Sequence, residues 1–171
     1  MTKTVIIQGS SRSFGDTHKI VSYMVANNNI DVIDLATKNI GHYDYEYKNK
    51  NDDFIDLMTH IVKNYDNIIF ATPVYWYSMS GILKVFFDRI SDLLRVHKDI
   101  GRKLRGKNMA MISSSNSNDL KEGFSMPFIE SANYLDMNYL GDIHTYIEND
   151  VINDTVKLRI DRFIEILKKV K

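Results

Sequence analysis

Apolar residues change their period repeatedly along the chain, and the changes divide it into five strand-and-helix units. Residues 3–8 are a short β-branched run ending at Gly9. After a polar stretch, Ile20, Val21, Met24 and Val25 recur at helical spacing. Residues 30–35 alternate as a second strand. Phe54, Ile55, Leu57, Met58, Ile61 and Val62 trace the stripe of a second helix, reached through a long polar linker at residues 36–51. Residues 67–72 read as a third strand stopped by Pro73, and residues 82–94 as a third helix apolar nearly all round, the pattern of a buried helix. Residues 107–113 make a fourth strand and 120–134 a fourth helix whose start is blurred by Gly123 and Pro127. Residues 138–146 make a fifth strand, and Val156, Ile160, Phe163, Ile164, Leu167 and Val170 the stripe of a closing helix.

Strict alternation of strand and helix predicts a parallel sheet with right-handed crossovers. Runs such as Val5-Ile6-Ile7 and Ile68-Ile69-Phe70 are apolar on both faces of the strand, which requires helices on both sides. The expectation is an α/β fold, a three-layer doubly wound five-stranded parallel sheet, with residues 1–171 as one domain. Periodicity leaves the strand order open; five units permit 2-1-3-4-5.

Composition removes several function classes. At 44% hydrophobic and 26% charged residues the chain has the balance of an ordinary globular protein, not of a disordered, collagen-like or repeat protein. Its 22 basic and 22 acidic residues cancel, so no overall field favours nucleic acid or an anionic membrane. Without cysteine there is no disulfide, thiolate metal site or cysteine nucleophile. The five histidines form no H-E-x-x-H pair, and no G-x-S-x-G elbow accompanies the serines, so neither a metal site nor a serine hydrolase is expected. No apolar run suits a secretory segment or a membrane span, and a cytoplasmic protein is expected.

In a parallel sheet the carboxyl ends of all strands share one edge, where the loops after the first, third and fourth strands can meet. The first loop, Gly9-Ser10-Ser11-Arg12-Ser13-Phe14-Gly15-Asp16-Thr17, combines hydroxyls, one fixed cation and two glycines just before a helix N-terminus. That chemistry suits a phosphate, and it equally suits a plain polar turn capping the helix. Neither a dinucleotide G-x-G-x-x-G nor a Walker motif is present. Asp16 works against a phosphate: at about 4 Å, with an effective dielectric near 20, the repulsion is about 4 kcal/mol. The simplest resolution makes Asp16 the N-cap, its carboxylate taken by helix amides. The third-strand loop, Pro73-Val74-Tyr75-Trp76-Tyr77-Ser78-Met79-Ser80-Gly81, offers backbone amides and aromatic cover for a planar heterocycle, or an aromatic anchor for another subunit. After the fourth strand, Ser113-Ser114-Ser115-Asn116-Ser117-Asn118 is small and polar enough for close approach to a ring.

The pattern Ser10-x-Arg12-x-x-x-x-Thr17, followed by residues 73–81 and then Leu83-Lys84-x-Phe86-x-Asp88-Arg89, resembles the NAD(P)H-dependent FMN reductases of flavodoxin-like fold over essentially the whole chain. The resemblance implies strand order 2-1-3-4-5, FMN as cofactor and NADPH or NADH as reductant. It implies a hydride passed through FMN to a small-molecule electron acceptor: a quinone, a nitro- or azo-aromatic, free flavin or a metal ion. By the same resemblance Ser10, Arg12 and Thr17 hold the phosphate, with Asp16 in the same loop as a departure from the family's neutral residue. Pro73, Val74, Tyr75 and Trp76 line the isoalloxazine, and Ser113, Ser114 and Asn116 touch its other side. No side chain is singled out as a catalytic acid or base. A flavodoxin-type electron carrier and a related binding protein that has lost FMN are the alternatives.

Two further segments carry expectations. Residues 95–107 are densely basic and read as a solvated connection rather than an anion-binding patch. Tyr43, Tyr45 and Tyr47 alternate in the long linker and suggest a cover over a pocket or a subunit contact, joined by exposed aromatics near Phe124 and Phe128. With the resemblance, they make a homodimer the expected assembly.

Overall fold

The computed structural model describes residues 2–169. The strands are β1 (Thr4–Gln8), β2 (Ile30–Asp34), β3 (Asn67–Pro73), β4 (Asn108–Ser115) and β5 (Asn138–Tyr146). The helices are α1 (Asp16–Val25), α2 (Phe54–Asn64), α3 (Gly81–Arg95), the single turn α4 (Lys98–Gly101), α5 (Met126–Tyr134) and α6 (Asp154–Lys169). All pairings are parallel, in the order β2-β1-β3-β4-β5. This is the flavodoxin-like arrangement expected. The three strands with continuous apolar runs lie inside the sheet, and the alternating β2 and the mixed, partly exposed β5 lie at its edges.

Side-chain alternation splits the core in two. Ile6, Ile69, Ala71, Ala110 and Ile112 face α1 and α6, meeting Ile20, Met24, Val156, Ile160 and Phe163. Val5, Ile7, Ile68, Phe70, Met109 and Met111 face the opposite layer, against Phe54, Met58, Leu83, Phe86 and Phe128. The expected stripes of the second and closing helices are thus the buried ones. Val170, the last position of the closing stripe, lies outside the described residues.

Several boundaries and roles differ from the sequence expectation. The fourth long helix begins at Met126 rather than at residue 120. Gly123, at φ +87°, turns the chain first, and Pro127 sits in the opening turn, where its missing N–H costs nothing. β4 runs on to Ser115. The third helix is not buried all round: Leu83, Phe86, Ile90 and Leu93 face the core while Leu94 is exposed. Its buried face also holds Arg89 and Asp92. The Arg89 guanidinium, 1% exposed, donates to Asp92 (Nε to Oδ2, 2.6 Å), to Asp52 and to the carbonyls of Gly41 (3.0 Å) and Asn49 (3.3 Å), and lies over the Phe54 ring. This network fastens the long linker to α3. Burial alone would raise the Asp52 carboxyl, but hydrogen bonds from Arg89 and from the Gly41 and Phe54 amides outweigh it and hold the group below the usual carboxylate range.

The tyrosines of the linker cover no site loop. The Tyr43 hydroxyl accepts from Arg95 at 2.7 Å and the Tyr47 hydroxyl bonds His97, both at the far end of α3, while Tyr45 lies under the Arg95 guanidinium. Phe124 and Phe128 are buried, not exposed. The basic stretch is a solvated connection, with Arg95, Lys98, Arg102, Lys103 and Arg105 exposed, anchored by Ile100 and Leu104 buried within α4 and the following 3-10 turn (Arg102–Leu104).

Candidate functional site

The loops after β1, β3 and β4 meet at one edge of the sheet because the register brings their strand ends side by side. Gln8 lies opposite Ala71, Thr72 opposite Ser113, and Pro73 opposite Ser114. Hydrogen bonds then lock the loops together. The Gly9 amide donates to Ala71 O at 2.8 Å and the Val74 amide to Ser114 O at 2.9 Å. Ser80, N-cap of α3, accepts from the Leu83 amide at 3.2 Å and donates to Gly9 O. Its own amide donates to the Thr72 hydroxyl at 3.0 Å.

In the first loop, Ser10 is buried and its hydroxyl accepts from the Arg12 amide at 3.3 Å, leaving its own proton without an acceptor among the described residues. Thr17 is buried in the first turn of α1 and shares a 2.8 Å hydrogen bond with the Ser114 hydroxyl of β4. If Ser114 donates, the Thr17 proton remains for a ligand. The amides of Asp16, Thr17 and His18 point out of the helix start, with no acceptor among the described residues. Arg12 is exposed and folds back over Gly15: a Cβ on that glycine would stand 3.4 Å from Arg12 Nε. Unpaired amides, free hydroxyl protons and a guanidinium together are the donor set a phosphate monoester requires. The residues present fit such a group.

Asp16 is not the N-cap. Gly15 holds that position, and Asp16 is the first helical residue, its carboxylate paired with Lys19 at 3.1 Å. Lys19 also binds Asp150, from the turn after β5. The carboxylate is therefore paired with a cation one turn along its own helix, shared with Asp150, rather than with helix amides, which stay open.

In the second loop Pro73 ends β3. Tyr75 and Ser78 exchange backbone hydrogen bonds of 3.0 and 3.1 Å around a tight turn, with Trp76 at φ +50° and Tyr77 at φ +63°. Non-glycine residues in that region cost roughly 1–2 kcal/mol each. The turn projects Trp76 outward, 94% exposed. Phe14, 84% exposed, stands out from the first loop.

The serines after β4 divide between the two faces. Ser114 turns to Thr17; Ser113 turns the other way, its buried hydroxyl 2.9 Å from His144 Nδ1. Both belong to the strand, and Asn116 is the first exposed residue beyond it. Sequence reasoning missed Lys19 and His144. Lys19 was legible as an i,i+3 partner of Asp16, whereas His144 carried no local signal.

The comparisons with known proteins bear on the fold and the family. The family of NADPH-dependent FMN reductases matches residues 2–151. Among curated relatives, an uncharacterised NAD(P)H oxidoreductase, YdeQ, of Bacillus subtilis (strain 168) is 29% identical over 118 residues, covering 63% of this chain and 60% of its own. An NADPH azoreductase of Bacillus sp. (strain OY1-2) is 30% identical over 98 residues, 57% of this chain and 55% of its own. The matches thus span a little over half the length of these relatives. A solved structure described as Trp repressor binding protein from Bacillus subtilis has the same fold, with TM-score 0.76 at 23% identity over 99% of this chain and 100% of its own. A match running from the first strand past the fifth, and taking in all three converging loops, makes this chain a member of the NADPH-dependent FMN reductase family.

Proposed function

We propose that the protein is an FMN-dependent oxidoreductase that transfers a hydride from NADPH or NADH to a small electron acceptor, a quinone, a nitro- or azo-aromatic, free flavin or a metal ion. The observation that carries this reading is the first loop's donor set, joined to the β4 edge through Thr17 and Ser114. Ser10, Arg12, Thr17 and the opening amides of α1 bind the phosphate, and Lys19, shared with Asp150, offsets part of the repulsion of Asp16. The backbone of residues 73–76 borders one side of the ring, and the loop from Asn116 the other. Bound FMN supplies the two-electron chemistry itself. The chain's part is to orient the ring, limit water and hold the nicotinamide and the acceptor in turn at one face.

Among these acceptors an aromatic one is favoured in this reading, because Trp76 and Tyr77 are held outward at the rim by a strained turn. The carrier alternative is disfavoured by zero net charge, since weakly bound electron carriers steer encounters with one-signed surfaces. Loss of FMN is disfavoured by the pairing of Asp16. We place the protein in the cytoplasm as a homodimer. Among the described residues no helix is long and apolar enough to cross a membrane.

Steady-state oxidation of NADPH and NADH, with an azo dye or a quinone and with or without added FMN, tests the activity. FMN-dependent consumption of the nicotinamide is expected. Absence of consumption at saturating FMN contradicts the proposal.

A further inference from the structure

The loop leaving β4 is small, polar and exposed, a composition that gives a loop no shape of its own. Its order comes from β5. His144 lies opposite Ser113 in the β4–β5 register, and its ring spans from the strand to the loop. Nδ1 is 2.9 Å from the Ser113 hydroxyl, and Nε2 is 2.9 Å from the Ser117 carbonyl and 3.2 Å from the Ser115 hydroxyl.

The chemistry of the partners assigns the ring's proton. A carbonyl only accepts, so Nε2 carries the hydrogen and donates to Ser117 O; Nδ1 of the neutral ring then accepts from Ser113. Ser115, which donates to the same Ser117 carbonyl at 2.7 Å and accepts from the Ser117 amide at 3.3 Å, closes the turn. A second brace comes from α6: Arg159 Nη1 donates to the His144 carbonyl and to Asn118 Oδ1 at 3.2 Å. The loop is thus held from its outer side at Ser117 and Asn118, by residues on the sheet's last strand and last helix. Neither His144 nor Arg159 belongs to the three converging loops.

We propose that His144 is a positioning residue that fixes the β4 loop as one wall of the cofactor crevice, with Arg159 as its outer brace. The inference rests on the reading that this crevice takes FMN. Its content is that the shape of the wall is set by an imidazole bridge between Ser113 and Ser117, not by the loop's own sequence. Gln at position 144 retains an N–H donor for Ser117; Leu retains volume and no donor.

The test combines FMN titration, followed by flavin fluorescence and visible circular dichroism, with amide hydrogen exchange of residues 115–119 in protein free of FMN. His144→Leu is expected to speed exchange of those amides, to weaken FMN binding about tenfold and to alter the dichroism of bound flavin, an effect on the scale of one or two lost hydrogen bonds. His144→Gln is expected to recover part of each. Should His144→Leu fail to fold, Arg159→Gln, at a half-buried position of α6, is expected to move both readouts in the same direction by a smaller factor. Unchanged exchange in the His144→Leu protein overturns the bridge. Faster exchange with unchanged FMN affinity and dichroism overturns the loop's role as a wall. Wild-type protein that takes up no FMN overturns the function proposed above and the wall with it, while the exchange arm still decides whether His144 shapes the loop.

Discussion

A Cβ at position 9 would stand 2.7 Å from the Leu83 Cβ, closer than packed carbons approach, so α3 can start against the end of β1 only because residue 9 is glycine. Gly9→Ala is expected to cost about 1–3 kcal/mol by urea unfolding, the range for an overpacked contact, because Ser80 and Gly9 are tied across that contact. Lys19 is equally specific. Lys19→Met leaves Asp16 without its paired cation beside the amides proposed to bind the phosphate, and FMN affinity is expected to fall by about threefold at low salt, less at high salt. In an Asp16→Asn background the same change is expected to have no effect, which a binding titration of the four proteins reads directly. The hydroxyls and Arg12 of the first loop were legible because their chemistry is local. Asp150 and His144 were not, since they reach Lys19 and Ser113 across 131 and 31 residues of chain.

Among the elements, α3 does the most. It positions Ser80 at the site and buries Arg89 between Asp52 and Asp92. Arg89→Met leaves both buried carboxylates without their counter-ion, Asp52 keeping only the Gly41 and Phe54 amides, and is expected to destabilise by about 3–5 kcal/mol, measured by chemical unfolding. Because the folded carboxyl of Asp52 lies below its ordinary value of 3.8, its contribution is complete above that pH and is lost as pH falls through the lower folded value. The wild type is therefore expected to lose stability below about pH 4 more steeply than Asp52→Asn. At the turn after β3, Trp76→Asn removes an exposed ring and places a residue more tolerant of positive φ. Unfolding is expected to change by less than about 0.5 kcal/mol, while KM for an aromatic acceptor rises. Sequence periodicity found the stripes of α1, α2 and α6 because each has one continuous apolar face. It misjudged α3, whose buried face includes an ion network that periodicity scores as polar, and α5, whose start is set by the backbone at Gly123.

For the whole molecule, the sheet separates functions by its two edges. Residues 98–107 precede β4 and so lie at the edge where the strands begin, while the candidate site lies where they end. The seven residues of β3, at about 3.3 Å each, place the edges about 20 Å apart, more than twice the ~8 Å Debye length at physiological salt. A Lys103→Gln/Arg105→Gln protein is accordingly expected to keep its KM for NADPH within about twofold at that ionic strength. A parallel sheet covered on both faces was legible because strand and helix alternate strictly and the runs of β1 and β3 are apolar on both faces, while the strand order rested on the family resemblance. The place of Phe124 and Phe128 was not, since both are core residues rather than neighbours of an exposed aromatic patch. The central claim is that one crevice grips a phosphate and a flat ring together, and comparing FMN with riboflavin as ligands, by flavin fluorescence, isolates the phosphate. The account predicts one FMN per chain, riboflavin weaker by about 10- to 100-fold as expected for lost charge-assisted hydrogen bonds, and most of that difference gone in Arg12→Ala. Equal affinity for the two flavins, or no binding of FMN, would contradict it.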